Sequence, residues 1–168
     1  MSSVDKLWNA IQNLLNTGKS PGMTPAAQRL EKLTKEMEGK CVEIGFNEQS
    51  GSYEDGTTMA QVAAWNEFGT ERSPSRPFMR QTIKDYQGAI TKYTAKSLRS
   101  AVKSHGTVSI VLNRVGAYTK GKMQREIRDG EWTPNAPSTI ARKGSDKPLI
   151  DTGQMRQRIV YVVKDKES

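Results

Sequence analysis

The stretch AWNEFGTERSPSRPFMRQTIKDYQGAITKYTAKSLRSAVKSH, Ala64–His105, decides how the chain is read. It holds the end of a short helix, a loop stiffened by Pro74 and Pro77, and then the longest helix the periodicity supports, over about 77–104. Gly69 is placed to close the first helix in a left-handed conformation that a Cβ would resist. In the long helix, Met79, Ile83, Tyr86, Ile90 and Tyr93 recur at spacings of 4 and 3, and Leu98 and Val102 continue the inward side. Arg80, Lys84, Lys92, Lys96, Arg99 and Lys103 form a second stripe, with Asp85 the only carboxylate from Pro77 to His105. At about 1.5 Å of rise per residue such a stripe runs for roughly 35 Å. Two readings stay open for it, a solvated face or a track facing a polyanion.

Upstream, Val4, Leu7, Trp8, Ile11, Leu14 and Leu15 predict a short amphipathic helix over 3–16. A helix of that length is marginal alone, so it must dock on its own domain or on a neighbour. Thr24-Pro25 is a helix start, a hydroxyl cap followed by proline at the first position. Ala26, Leu30, Leu33 and Met37 give that helix one apolar stripe up to Gly39. CVEIGF, Cys41–Phe46, alternates as a strand with Val42, Ile44 and Phe46 on one face. A polar loop follows, and residues 58–68 return to helical period, with Met59, Val62, Ala63 and Phe68 as inward candidates.

Downstream, Val108, Val111, Val115, Tyr118, Met123 and Ile127 predict a helix over 108–128 that closes near Gly130, although TVSIVL leaves a strand start open. Gly116 and Gly121 inside it weaken the helix reading or allow close packing against another backbone. One helical turn is expected over Ser138–Lys143. The closing QRIVYVV alternates as a terminal strand that pairs with 41–46.

Residues 1–70 carry 6 Lys/Arg against 9 Asp/Glu, and residues 71–168 carry 20 against 9. The second part therefore asks for an acidic partner, nucleic acid first in line, although a basic surface specifies no sequence readout. No apolar run approaches the roughly 18 residues that cross a bilayer. No signal-peptide pattern opens the chain, so a soluble, intracellularly made protein is expected. One cysteine, Cys41, excludes an internal disulfide and a cysteine-rich zinc site, and one histidine, His105, speaks against a histidine metal site. His105 suits a helix C-terminus, where a cation is favoured.

Asp151-Thr152-Gly153 has the form of an aspartic-protease turn, but that chemistry needs two carboxylates sharing a proton and closing strands beyond the turn. Only 15 residues follow Gly153. The plainer reading is a capped turn, with Asp151 as the cap and Gln154 answering three residues on, before the last strand. Glu67, Glu71, Asp129 and Glu131 are candidates for a carboxylate-only metal nuclease, and they fall at loops and helix ends where ordinary solvated carboxylates also fall. No phosphate-binding glycine loop occurs. Trp65 and Trp132 could stack on bases or serve as amphipathic core or interface residues, the interface reading suiting Trp132 before its proline-rich loop.

Three stretches in order, VAAWNEFGTERSPSRPFMRQTI (Val62–Ile83), GKMQREIRDGEWTPNAPSTIARKGSDKPLIDTG (Gly121–Gly153) and QMRQRIVYVV (Gln154–Val163), resemble the tail-completion or neck proteins of tailed bacteriophages, also called virion morphogenesis proteins. The resemblance rests on Glu67, Phe68, Gly69, Thr70, Arg76, Pro77, Phe78 and Arg80, then on Leu149, Ile150, Asp151, Thr152, Gly153 and Arg156. It does not reach the N-terminal 40 residues. It implies a structural head–tail connection subunit with no catalytic residue, no cofactor and no metal. Implied partners are other copies in a homo-oligomeric ring, neighbouring neck, connector and tail proteins, and genomic DNA passing non-specifically through the lumen. The implied place is the virion neck, after assembly in the host cytoplasm. The alternative from a different class is a free basic, sequence-independent DNA-binding protein.

The fold class expected is α+β: a small antiparallel sheet packed against one long helix and several shorter ones. An N-terminal helical arm and linker over 1–23 precede a single domain over 24–168.

Overall fold

The computed structural model describes residues 24–166 of the chain. The arm expected over 1–23, with its helix at 3–16, lies outside the described residues. Helix α1, Pro25–Glu38, begins where Thr24 accepts the Ala27 N–H on its hydroxyl at 3.3 Å and Pro25 fixes the first turn. Strand β1, Lys40–Gly45, follows directly. A 3₁₀ turn, Glu48–Ser50, and a loop bridged between Ser52 and Thr58 lead into α2, Met59–Phe68. Thr58 and Gln61 cap α2 reciprocally. Then come α3, Phe78–Lys103, α4, Val108–Asp129, α5, Pro137–Lys143, and the one-turn α6, Gln154–Gln157. Strand β2, Val160–Asp165, ends the described chain and pairs antiparallel with β1. The fold is thus α+β with a long helix, as expected. The strand alternative at TVSIVL is not taken, because Thr107 caps the turn and α4 starts at Val108.

The residues divide into two compact units. One holds the described chain through Val42, Gln87–Val115 and the residues from Val163. Its core is Leu33 of α1, Leu98 and Ala101 of α3, and Val108, Val111 and Leu112 of α4, flanked by Val42 and Val163. The other unit holds Glu43–Tyr86 and Gly116–Val162. Its core joins Met59 and Ala63 of α2, Phe78 of α3, Met123 and Ile127 of α4, Met155 and Ile159. Phe46 meets the Phe78 ring edge-on, with centroids 6.2 Å apart.

Some inward assignments are corrected. Ile83 is 48% exposed, whereas Thr82 next to it is fully buried. Thr82 can be buried because its hydroxyl donates to the Phe78 carbonyl at 2.7 Å. Thr94 does the same with Ile90, so hydroxyls hold positions that an apolar stripe was expected to hold. Phe68 is likewise not inward but 72% exposed. Gly116 packs against the Tyr161 ring rather than a backbone: an added Cβ would lie 2.3 Å from Cδ2. Gly121 has open space.

Candidate functional site

Glu67 is the pivot of the EFGT–RPFMR joint. It sits on the last turn of α2 at 2% exposure, and its carboxylate points at the start of α3. There it accepts the N–H of Met79 at 2.9 Å, the N–H of Arg80 at 3.2 Å and the Nε–H of Arg80 at 2.9 Å. The carboxylate thus does for α3 what a capping side chain does, satisfying first-turn amides and placing negative charge at the positive end of the helix. The connecting loop folds back onto the same residue: Ser75 Oγ donates to the Glu67 carbonyl at 2.8 Å, and Arg80 adds a second bond to it at 2.9 Å.

Gly69 makes that reversal possible. Its φ of 80° is positive as expected, but ψ is 175°, so it is not left-handed helical. The loop runs so close that a Cβ would stand 2.9 Å from the Ser75 amide nitrogen. Thr70 and Ser73 close the tight turn with reciprocal backbone bonds. Pro77 precedes α3, and its carbonyl takes the Gln81 N–H at 2.8 Å. Phe78 fills the core.

Arg76 ties the joint to the second motif. At 6% exposure it donates from Nε to the Thr133 carbonyl at 2.8 Å and from Nη2 to Pro134 at 3.0 Å and Asn135 Oδ1 at 3.2 Å. Asn135 in turn donates to the Asp146 carbonyl at 3.2 Å, holding the WTPNAP loop down. The two blocks that carry the resemblance, far apart in sequence, meet at this guanidinium.

The Asp151-Thr152-Gly153 turn is corrected in detail. The residue at the cap of α6 is Gly153, left-handed at φ 80° and ψ 1°, and no side chain caps it. Thr152 Oγ1 accepts the Gln154 N–H at 3.4 Å, and α6 separates the turn from β2. Asp151 is exposed, and its charge acts on Lys143 and Tyr53 instead. Burial lowers the Lys143 pKa and Asp151 opposes that shift, whereas burial raises the Tyr53 pKa and Asp151 adds to it. Leu149, at φ 60°, and Ile150 pack on the unit's core, and the Arg156 carbonyl accepts from Gln124 at 3.2 Å.

A groove of about 460 Å³ opens beside this turn, lined by motif residues of both blocks, among them Arg76, Asn135, Leu149, Asp151 and Gly153. Sequence reading missed its other charged members, Asp55, Arg72, Arg142 and Lys143. The only sequence signal for the three cations is adjacency to the prolines and to Gly144, which bring their loops together.

The basic stripe separates by environment. Arg80 belongs to the joint, paired with Glu67 and lying over the Phe68 ring at 5.4 Å. Lys84 belongs to the same unit, while Lys92, Lys96, Arg99 and Lys103 belong to the other. All five are exposed and none makes an ion pair among the described residues. Lys96, Arg99 and Lys103, with Ser100 and Ser104, line an open depression of about 430 Å³.

The nuclease candidates do not converge. Glu67 is consumed by α3, Asp129 pairs with Arg128 and Arg125, and no group of three metal-ligating side chains occurs among the described residues. Trp132, expected at an interface, is half-buried against the core and donates its indole N–H to the Glu126 backbone carbonyl at 3.2 Å, whereas Trp65 is 50% exposed. No helix among the described residues is long and apolar enough to cross a membrane. No family model, curated protein or solved structure matches the chain.

Proposed function

We propose that the chain is a non-enzymatic structural subunit of a tailed-phage neck, a tail-completion protein. It assembles as a homo-oligomeric ring that joins the DNA-filled capsid to the tail and lets DNA pass. The observation that carries this reading is how the motif residues are used. Glu67 spends both carboxylate oxygens, and Arg76 and Arg80 their Nε and Nη2 atoms, on internal bonds, which suits a rigid joint. Beside that joint Phe68 stands 72% exposed, next to a groove of about 280 Å³ lined by Ile44, Phe46, Ala64, Met79 and Val160. Exposed apolar surface around a rigid element fits a subunit that neighbours complete.

Size-exclusion chromatography with light scattering tests the reading. The wild-type chain should form a closed oligomer, and Phe68→Asp should return it to monomer with its fold intact. A wild-type chain that stays monomeric, alone and with connector proteins, overturns it. The second reading, a free basic DNA-binding protein, draws on the unpaired cations of α3 and would be favoured by a monomer that holds DNA tightly.

A further inference from the structure

The groove beside the Asp151 turn contains a buried cation that no carboxylate pairs with among the described residues. Arg76 bonds only to neutral oxygens, those of Thr133, Pro134 and Asn135, and no carboxylate lies within ion-pair distance among the described residues. Its remaining terminal nitrogen, Nη1, donates to no atom of the described chain, and the side chain lines the groove. A guanidinium that is largely buried without a counter-charge is costly, and an anion in the groove, set against Nη1, offsets that cost. Burial lowers the Arg76 pKa from its ordinary value with no carboxylate opposing it.

The rest of the lining says what kind of anion fits. Arg72, Arg142 and Lys143 add positive charge to the same groove, while Asp55 and Asp151 also line it and repel a run of phosphates. Trp65, Val62, Leu149 and Met155 give it apolar wall on which neighbouring side chains can rest. We propose that this groove docks an acidic peptide segment of a partner protein, seating one carboxylate at Arg76 and Lys143 with apolar side chains against Trp65. The site is separate from the apolar surface around Phe68 and stands or falls independently of ring assembly.

The full chain labelled with fluorotryptophan and observed by fluorine NMR tests this, the Trp65 resonance being assigned with Trp65→Phe. The probe is a blocked tripeptide Leu-Glu-Leu, with Leu-Gln-Leu as the neutral control. The glutamate peptide should shift the Trp65 signal saturably, and the glutamine peptide should bind about tenfold more weakly, as loss of a charge-assisted bond requires. Arg76→Met would remove a structural tie, and Lys143→Met also gives up the Nζ bond to the Lys147 carbonyl at 3.0 Å, so it is read beside Arg142→Gln, each checked by thermal melting. At least one should weaken the glutamate peptide severalfold at an unchanged melting temperature. Equal binding of the two peptides, no shift of Trp65, or full affinity in both variants overturns the site. So does a short single-stranded oligonucleotide that moves Trp65 more strongly than the peptide.

Discussion

The Glu67 carboxylate reaches across a loop to bind Arg80, thirteen residues on, taking both its backbone N–H and its Nε–H on one oxygen. The cap of the longest helix therefore comes from the helix before it. Removing the carboxylate leaves first-turn amides and part of the guanidinium without their acceptor. Glu67→Ala should cost about 2–3 kcal/mol by denaturant unfolding. Glu67→Gln keeps one acceptor and should cost about 1 kcal/mol. Equal stability of all three proteins would show that water replaces the cap without loss.

Gly116 and Gly121, five residues apart on α4, should respond in opposite directions to the same change. A methyl at 116 collides with the Tyr161 ring, so Gly116→Ala should cost about 1–3 kcal/mol. Gly121 has open space and helical backbone, so Gly121→Ala should gain up to about 1 kcal/mol. Adding Tyr161→Ala to Gly116→Ala should recover part of the loss in a double-mutant cycle. Additive losses would contradict the contact.

Much of this was legible in the sequence because local chemistry and periodicity agreed. Thr24-Pro25 started α1, Gly69 stopped α2, and the alternation at 41–46 and 159–163 found both strands and their pairing. The misses on the long helix share one cause: hydroxyl residues that satisfy themselves within a helix. Thr82 and Thr94 donate to carbonyls four residues back, so they occupy core positions beside Ile83, which is exposed, and Tyr93, which is only partly buried. The end of α3, expected at His105, is also shared between two residues. The positive φ falls on His105, at 55°, and Gly106 supplies the N–H that bonds the Ala101 carbonyl at 2.9 Å. Residue types could not show that Arg76 spans to Thr133–Asn135, because nothing local marks a contact between blocks so distant.

Glu126 sets a pH dependence. Burial raises its pKa above the usual carboxylate value, and Asp85 and Asp129 push it further up. Between the ordinary and the raised value the folded state keeps a proton that the unfolded state has released, so stability falls as pH climbs through that window. Above the window the penalty is complete, and below it there is none. Glu126→Gln should therefore melt higher than wild type at neutral pH, and the gap should close on acidification below the ordinary carboxylate range. A gap that does not change with pH would assign it to packing instead.

The exposed cations of α3 should bind phosphate without reading sequence. Gln87–Val115 contains no Asp or Glu, so nothing on that segment offsets Lys92, Lys96, Arg99 and Lys103. Reversing Lys96, Arg99 and Lys103 to Glu should lower affinity for two unrelated duplexes equally. It should also flatten the plot of log affinity against log salt by about 0.9 for each phosphate the variant no longer neutralises. Unchanged affinity would make the face a solvated one.

Mass spectrometry of purified tailed particles, from the source that encodes the chain, tests most directly its proposed place in a phage neck. The result predicted is the chain present in those particles at the fixed low copy number of a single ring. Its absence from intact particles, with the purified chain a monomer that binds DNA tightly, would contradict the claim.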